Sequence, residues 1–235
     1  MEADPPSMKG LNPAAIGVGM VVVGGLAAVC FPVVLKQRKA ADRTWAINRI
    51  CNMGAMLLEF DSEYGGFPDD KTALEVQRVT KTPFTLTGPY SNDYFRQLLA
   101  GGGGKSELPF WCKTALSPDE PDEDFSTPAK ALAPGEVGFS YIMASPTEGQ
   151  SSKGEPSPPV VVAPSYQFRA DWTFDPEPYT GKAVILRLDN SAEAFSIRED
   201  NRKISTGSGK TLGDTGEGTP WGTKMTPVLR APQPR

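Results

Sequence analysis

The feature that most constrains this chain is an uncharged stretch over residues 11–35, with the sequence LNPAAIGVGMVVVGGLAAVCFPVVL. A helix of about 20 apolar residues is long enough to cross the hydrocarbon core of a membrane. The residues before this stretch include Glu2, Asp4 and Lys9, and so lack the basic start of a secretory signal peptide. We therefore predict a single transmembrane helix over residues 11–35 that anchors the chain.

The helical pattern continues beyond the uncharged stretch. Apolar side chains recur at spacings of three or four residues and form one stripe on a helix, at Ala46, Ile50, Met53, Leu57, Phe60 and Tyr64. Charged side chains fall mostly on the other side, which predicts an amphipathic helix with one face to bury. Because Gly65, Gly66 and Pro68 favour a helix end, we assign residues 36–66 to an amphipathic extension of the anchor.

Residues 67–235 are predicted to form a globular head with a loop-rich C-terminal tail. The chain contains 24 glycines and 23 prolines, which is above average usage and predicts many turns. Four strands are predicted from β-branched and aromatic content, over residues 137–144, 159–166, 183–188 and 192–197. The last two form a hairpin, because Asp189, Asn190 and Ser191 between them are turn residues.

The remaining segments of the head are predicted to be short helices and loops. Apolar spacing predicts helices near residues 71–79 and 92–99, the second with Ser91 as its N-cap. Residues 117–136 are rich in proline and acidic side chains, which predicts an exposed loop, and residues 227–235 are expected to fray. The predicted fold class is α+β, with a long N-terminal helix, half membrane-spanning and half amphipathic, packed on a small antiparallel β-sheet head with long loops.

The N-terminal helix resembles that of the type IV pilins and the pseudopilins of type II secretion systems. Members of that family share a helix segment close to GILAAIALP, and residues 24–32 of this chain are GGLAAVCFP. Counting back from Pro32 by the family's interval reaches Leu11, which follows Gly10. Further along the chain, EFDSEYGGFPDD, SNDYFRQLLA and GKAVILRLDNSAEAFSI are similar to segments of a poorly characterised group of bacterial pseudopilin-like proteins.

This resemblance implies a membrane-anchored structural subunit that acts by assembly or docking. It implies a leader over residues 1–10, cut between Gly10 and Leu11 by a prepilin peptidase. The implied location is the bacterial inner membrane, with one span and a soluble head on the periplasmic side. The implied partners are the lipid bilayer and other pilin-like or secretion-system subunits, and we expect no cofactor.

The chain departs from the family at the start of the mature helix. The fifth residue after the expected cleavage point is Ala15, where the family usually has a glutamate that offsets the N-terminal amine of a neighbouring subunit. Leu11 stands where phenylalanine is usual, and Pro13 interrupts the usual pattern. Minor pseudopilins at a fibre tip can lack the glutamate, so the departure is compatible with a tip-like role.

Small residues within the predicted span suit close helix packing. Gly17, Gly24 and Ala28 share one face of the helix, and Gly24 and Ala28 have the spacing of small-residue packing pairs. Pro32 is expected to loosen the helix locally near the end of the span. The alternative is that small residues are simply common in spanning helices.

The basic residues after the span give a different indication of topology from the family resemblance. Four basic residues follow the span, namely Lys36, Arg38, Lys39 and Arg43. Basic flanks are normally cytoplasmic, which by itself would place the head in the cytoplasm. We favour the periplasmic side because pilin-like chains tolerate basic residues just after the span.

The cysteines allow two interpretations. Cys30 lies within the predicted span, where it is expected to be a packing residue. In an exported head Cys51 and Cys112 could form a disulfide that ties the helix to the head. The alternative is two separate thiols, since the sequence does not show whether the two Cα atoms are close enough to bridge.

The acidic run over residues 119–124 also has two interpretations. It contains Asp119, Glu120, Asp122, Glu123 and Asp124, and clustered carboxylates can hold calcium. However, Pro121 interrupts the run and the spacing matches no calcium-loop motif, so we interpret it as a solvated surface loop.

Composition argues against catalysis and nucleic-acid binding. The chain has no histidine, which excludes Ser-His and Cys-His catalytic pairs and histidine-ligated zinc. Its net charge of −4 and the lack of a basic stripe disfavour nucleic-acid binding. The sequence thus predicts a non-enzymatic pseudopilin-like subunit. The alternative is a permanently anchored envelope protein whose head binds a ligand or partner without forming a fibre.

Overall fold

A computed structural model describes residues 13–153, 157–167, 171–207 and 209–235 of the chain. The side chains of residues 13–30 and of Pro32 are not described. The chain divides into two compact units, Met1–Lys39 and Ala40–Arg235. The predicted leader and the cleavage residues Gly10 and Leu11 lie outside the described residues.

The first element is the helix α1, Pro13–Tyr64, which has 52 residues. Its segment up to Lys39 belongs to the first unit and its remainder to the second. Within the part of the chain that the structure describes, no helix is long and apolar enough to cross a membrane. Most side chains of the predicted span lie outside that part.

The amphipathic half of α1 supplies one wall of the core of the second unit. The predicted stripe is buried at Ala46, Ile50, Met53, Leu57 and Phe60. Tyr64 is half-buried and stacks on Phe60 with ring centroids 4.5 Å apart. The helix ends where predicted, because Gly65 adopts a left-handed φ of +79° that residues with a Cβ rarely adopt.

The described residues of the head form two antiparallel sheets. Their strands are β1 Ser140–Met143, β2 Pro159–Ala163, β3 Lys182–Arg187, β4 Ala192–Ser196, β5 Ser205–Gly207, β6 Lys210–Thr211 and β7 Val228–Arg230. The larger sheet has the order β4-β3-β2-β1-β7, and β5 and β6 pair separately. The fold is therefore α+β, and the predicted hairpin of β3 and β4 is confirmed.

Both faces of β2, in the middle of the larger sheet, are buried, which explains its unbroken apolar run VVVA. On one face, Tyr141, Val161 and Leu186 pack in the same cluster as the stripe of α1. On the other face, Val162 and Ile185 pack in a cluster with apolar side chains from residues 174–221. The core therefore has two layers, one on each side of the sheet.

The part of the head that the structure describes also has two short helices and one 3₁₀ turn. Helix α2, Asp70–Thr80, starts with a reciprocal cap in which Asp69 accepts a hydrogen bond from the Thr72 amide at 2.6 Å. Helix α3 is Ser91–Ala100, and a 3₁₀ turn spans Leu108–Phe110. The predicted cap at Ser91 is wrong: Tyr90 is the N-cap residue, and the Ser91 hydroxyl donates to the carbonyl oxygen of Phe139 at 2.8 Å.

The predicted exposed loop over residues 117–136 is only partly exposed. Ala131 and Leu132 are fully buried. The buried Arg96 of α3 holds them, because its guanidinium donates to the Ala131 oxygen at 2.8 Å and to the Leu132 oxygen at 3.2 Å. Its charge is paired with Asp93 at 2.8 Å, which compensates for burial.

The expectation that residues 227–235 fray is also wrong. Strand β7 pairs with β1 and buries Leu229. Beyond β7, the Ala231 oxygen accepts a hydrogen bond from the Ser91 amide at 3.0 Å, and the Gln233 amide donates to Asn92 Oδ1 at 2.8 Å. This segment is part of the folded head because α3 and β1 supply partners for its backbone.

Candidate functional site

A groove in the second unit is the strongest candidate site among the described residues. It lies between α1 and the segment that follows the 3₁₀ turn, and has a volume of about 260 Å³. We call it the tryptophan groove, and its lining residues are Asp42, Trp45, Ala46, Arg49, Trp111, Cys112, Lys113 and Glu120. Sequence reasoning did not predict this groove, since its two tryptophans lie 66 positions apart in the printed sequence.

The wall opposite α1 is held in place by backbone contacts. The Trp111 amide donates to the Leu108 oxygen at 3.2 Å, and its indole nitrogen donates to the Ser117 oxygen at 3.1 Å. Gly138 lies directly behind this wall, and a Cβ added to it would lie 2.4 Å from the Cys112 oxygen. The close approach therefore requires a residue without a side chain.

Arg49 ties the two walls of the groove together. Its guanidinium carbon lies 4.5 Å from the centre of the Trp111 ring and 5.8 Å from that of Trp45. One nitrogen donates to the Trp111 oxygen at 3.0 Å, and another lies 3.6 Å from Glu120. A cation–π contact between partly exposed groups stabilises the structure by on the order of 1 kcal/mol.

Trp45 is the exposed element of the groove. It is 63% exposed, which is unusual for an indole with its large apolar surface. The charged residues lining the groove are two acidic and two basic, namely Asp42, Glu120, Arg49 and Lys113. This balance, with an exposed aromatic ring, suits an amphipathic protein or lipid surface better than a strongly charged ligand.

Cys112 lines the groove as a buried thiol. Burial raises the pKa of its thiol to about 12, so the thiol stays protonated at neutral pH. Cys51 is half-buried, and burial raises its pKa as well. Both cysteines are free thiols in the structure, so the disulfide considered from the sequence is not formed.

The acidic run over residues 119–124 contains five carboxylates. Its members are engaged separately: Asp119 pairs with Arg235 at 3.1 Å, Glu120 approaches Arg49, and Asp124 pairs with Lys130. Glu123 accepts a hydrogen bond from the Leu108 amide at 3.1 Å. The residues that the structure describes contain no group of three or more histidine, cysteine, aspartate or glutamate side chains that could hold a metal ion.

Glu107 is a notable buried carboxylate that sequence reasoning missed. It is fully buried, and its Oε1 accepts a hydrogen bond from the Leu132 amide at 2.6 Å. Its Oε2 has no hydrogen-bond partner among the described residues. Burial, followed by the charges of Glu136, Asp122 and Glu123, raises its pKa to about 7. In sequence it stands between Ser106 and Leu108 and carries no signal of burial.

The predicted helix-packing residues cannot be related to this groove. Gly17, Gly24, Ala28 and Pro32 lie in α1, but their side chains are outside the described part of the structure.

Comparison with protein-family models, curated proteins and solved structures finds no match for this chain.

Proposed function

We propose that the chain is a membrane-anchored, pseudopilin-like structural subunit that acts by assembly or docking in a type II secretion or type IV pilus-like system. The observation that carries the proposal is a change in the exposure of apolar side chains along α1. Phe31, Val33 and Val34 are 66%, 52% and 58% exposed, whereas the stripe from Ala46 to Phe60 is buried in the head. Exposed apolar side chains on one helix need a cover that the described residues do not supply, and lipid or neighbouring helices would supply it.

The resemblance at residues 24–32 extends this proposal to processing and location. In it, residues 11–35 span the inner membrane, the head faces the periplasm, and a peptidase cuts between Gly10 and Leu11. The helix face with Gly17, Gly24 and Ala28 then contacts other subunits. Pro32 loosens the helix near the end of the span.

In the same proposal the tryptophan groove is a docking surface of the head. Tryptophan and arginine are enriched among residues that dominate binding energy, and the groove has both. Arg49 keeps the Trp111 wall in place, while Trp45 supplies exposed apolar area to a partner.

The deciding experiment is the intact mass and N-terminal residue of the protein isolated from its own membranes. We expect a chain that begins at Leu11 and stays in the membrane fraction after an alkaline carbonate wash. A Gly10→Leu variant is the matched control, because it should retain the leader while remaining anchored. A wild-type chain that begins at Met1 would contradict processing, and a chain released by the wash would contradict the anchor.

A second candidate function is a permanently anchored envelope protein whose head binds a ligand or partner. Two observations favour it: Ala15 replaces the usual glutamate, and the tryptophan groove offers about 260 Å³ beside an exposed indole. An uncleaved chain that remains anchored, and whose Trp45→Ala variant loses a partner that co-purifies with the wild type, would support this function over the first.

A further inference from the structure

A second groove of the head opens where strands β1 and β7 separate. Its volume is about 620 Å³, which is within the range of about 300–1,000 Å³ typical of ligand-binding pockets. We call it the strand-end groove, and its lining residues are Ala144, Ser145, Glu148, Thr219, Trp221, Gly222, Thr223, Lys224, Met225 and Thr226. These residues differ from those that line the tryptophan groove.

The pairing of β1 with β7 ends at Met143 and Val228. Because Pro227 has no N–H, Met143 is paired through the N–H and C=O of Val228 itself. On the other strand, the Ser145 amide donates to the Glu148 oxygen at 3.2 Å and so turns away from the ladder. The two segments therefore diverge, and the strand-end groove lies between them.

Thr226 has backbone groups without a partner in the described structure. It lies in neither a helix nor a turn, and a residue before proline favours an extended backbone. Since every second residue of an extended segment bonds on the same side, the N–H and C=O of Thr226 face the same side as those of Val228. No described residue forms a hydrogen bond with the backbone of residues 223–226, which lie outside the helices and strands.

The strand-end groove has an apolar floor and a charged rim. Trp221 is buried, with its indole nitrogen donating to the Leu212 oxygen at 2.6 Å, and Met225 packs against the same cluster. Glu148 and Lys224 are exposed and lie on opposite walls. The Lys224 ammonium has no ion pair or hydrogen bond with a described residue, so the rim has an unpaired positive charge.

We propose that the strand-end groove binds an extended peptide segment of a partner protein, in which apolar and acidic residues alternate. The peptide takes the place beside Thr226 that β1 leaves, and one of its residues exchanges backbone hydrogen bonds with Thr226. Alternate side chains of an extended peptide face the same way, so its apolar side chains contact Trp221 and Met225. An acidic side chain of the peptide pairs with Lys224.

A peptide fits these features better than other ligands. The unused groups are backbone donors and acceptors in line with a strand, and an extended peptide offers the matching donors and acceptors. An acidic peptide fits better than a basic one, because the Glu148 carboxylate is already within 3.5 Å of the Ser145 hydroxyl whereas Lys224 has no partner among the described residues. Few backbone bonds form, so we expect dissociation constants of about 0.1–1 mM for a short peptide.

The inference goes beyond the proposed function, because it concerns a different surface of the head and holds whether or not the leader is cleaved. The probe is a fluorescein-labelled hexapeptide of alternating valine and aspartate, VDVDVD. Its binding to the full chain purified in detergent is measured by fluorescence anisotropy.

The first test changes the backbone of the peptide and leaves the protein intact. One version is N-methylated at its valines and the other at its aspartates, and each keeps all side chains. The N–H groups of alternate residues point to opposite sides of a strand, so only one version loses the bonds to Thr226. We expect its dissociation constant to rise about fivefold relative to the other version, which serves as the matched control.

The second test reverses the charge at the rim. Lys224→Glu should shift the ratio of the dissociation constants for VDVDVD and for a lysine version, VKVKVK, about tenfold in favour of the lysine peptide. Lys71→Glu is the matched control, because it makes the same charge change at an exposed position on α2 and should keep the wild-type ratio. Circular dichroism and thermal unfolding of both variants establish that they are folded.

Unequal affinities of the two N-methylated peptides, together with a changed preference in Lys224→Glu alone, support the proposal. Equal affinities contradict backbone pairing, and an equal shift in Lys71→Glu contradicts recognition at the rim. The proposal is also contradicted if neither hexapeptide binds at millimolar concentration, or if a soluble oligosaccharide such as chitohexaose binds in their place.

Discussion

At the scale of single residues, burial rather than residue type determines the pKa of the Glu107 carboxyl. Its carboxyl is enclosed beneath Leu132, and its pKa is raised from 4.5 to about 7. A carboxyl whose folded pKa lies above its unfolded value stabilises the fold fully below the unfolded pKa. That contribution is lost as the pH rises through the folded value.

We therefore expect the head to lose stability between about pH 4.5 and pH 7 through this one group. Glu107→Gln, which resembles the protonated form, should be less sensitive to pH and more stable than the wild type above pH 7, by about 3 kcal/mol. The measurement is the free energy of unfolding by denaturant across this pH range.

Glu63→Gln is the control for Glu107→Gln, because it makes the same charge change at an exposed position. Its pH profile should follow that of the wild type. If Glu107→Gln shows the wild-type profile too, the interpretation of Glu107 as a titrating buried group is wrong.

Single residues also show where local sequence rules succeed and fail. Asp189 acts as the predicted turn residue, because its Oδ1 accepts hydrogen bonds from the amide and hydroxyl of Ser191 at 3.0 and 2.6 Å. Ser91 is a favourable cap residue by type, but its hydroxyl donates a hydrogen bond to the carbonyl oxygen of Phe139, which is 48 residues away. A local preference therefore fails where a distant acceptor competes for the same side chain.

At the scale of elements, the close approach of backbone segments sets the position of the tryptophan groove. Gly138 leads into β1 and faces the backbone of Cys112, with the Cys112 nitrogen 2.7 Å from where a Cβ would lie. The Gly138 amide also donates to the Phe110 oxygen at 3.0 Å. This hydrogen bond holds Gly138 close to the segment that contains Cys112.

Gly138→Ala should accordingly destabilise the head by about 2 kcal/mol, because overpacking forces a backbone shift. It should also change the fluorescence of Trp111, whose segment must move. Gly66→Ala is the matched control, since its nearest neighbour would be the Gln150 oxygen at 3.9 Å, and it should be neutral. Equal stability of the two variants would contradict the close-packed wall.

At the scale of the whole head, residues far apart in sequence complete one another's hydrogen bonds. Asn92 in α3 donates to the Leu132 oxygen at 2.9 Å and accepts from the Gln233 amide at 2.8 Å. Asn92 is fully buried, so removal of either partner leaves a polar group without compensation. The C-terminal segment is therefore a structural part of the head.

Ending the chain after Pro227 should prevent cooperative folding of the head. This truncation removes β7, opens the edge of β1 and leaves Asn92 without one partner. The measurements are solubility on expression and a thermal unfolding transition, and we expect the transition to be lost. Ending the chain after Gln233 is the control, because it removes only the surface ion pair of Arg235 and should cost less than about 1 kcal/mol. A cooperative transition in the longer deletion would contradict this role.

The sequence by itself determined the elements whose pattern is local. The spacing of the stripe from Ala46 to Phe60 predicts a helix with one buried face, and the structure confirms it. The apolar content of β2 and the turn residues between β3 and β4 predict their strands in the same way. These predictions hold because helix and hairpin periodicities are set by neighbouring side chains.

The tertiary structure alone decided the features that depend on distant partners. The order of β7 beside β1, the burial of Leu132 under Arg96, and the burial of Glu107 have no local signature. The two tryptophans of the groove are likewise brought together by the fold. The physical reason is that a polar backbone segment can be buried only when partners satisfy its hydrogen bonds, and here those partners lie up to 141 residues away.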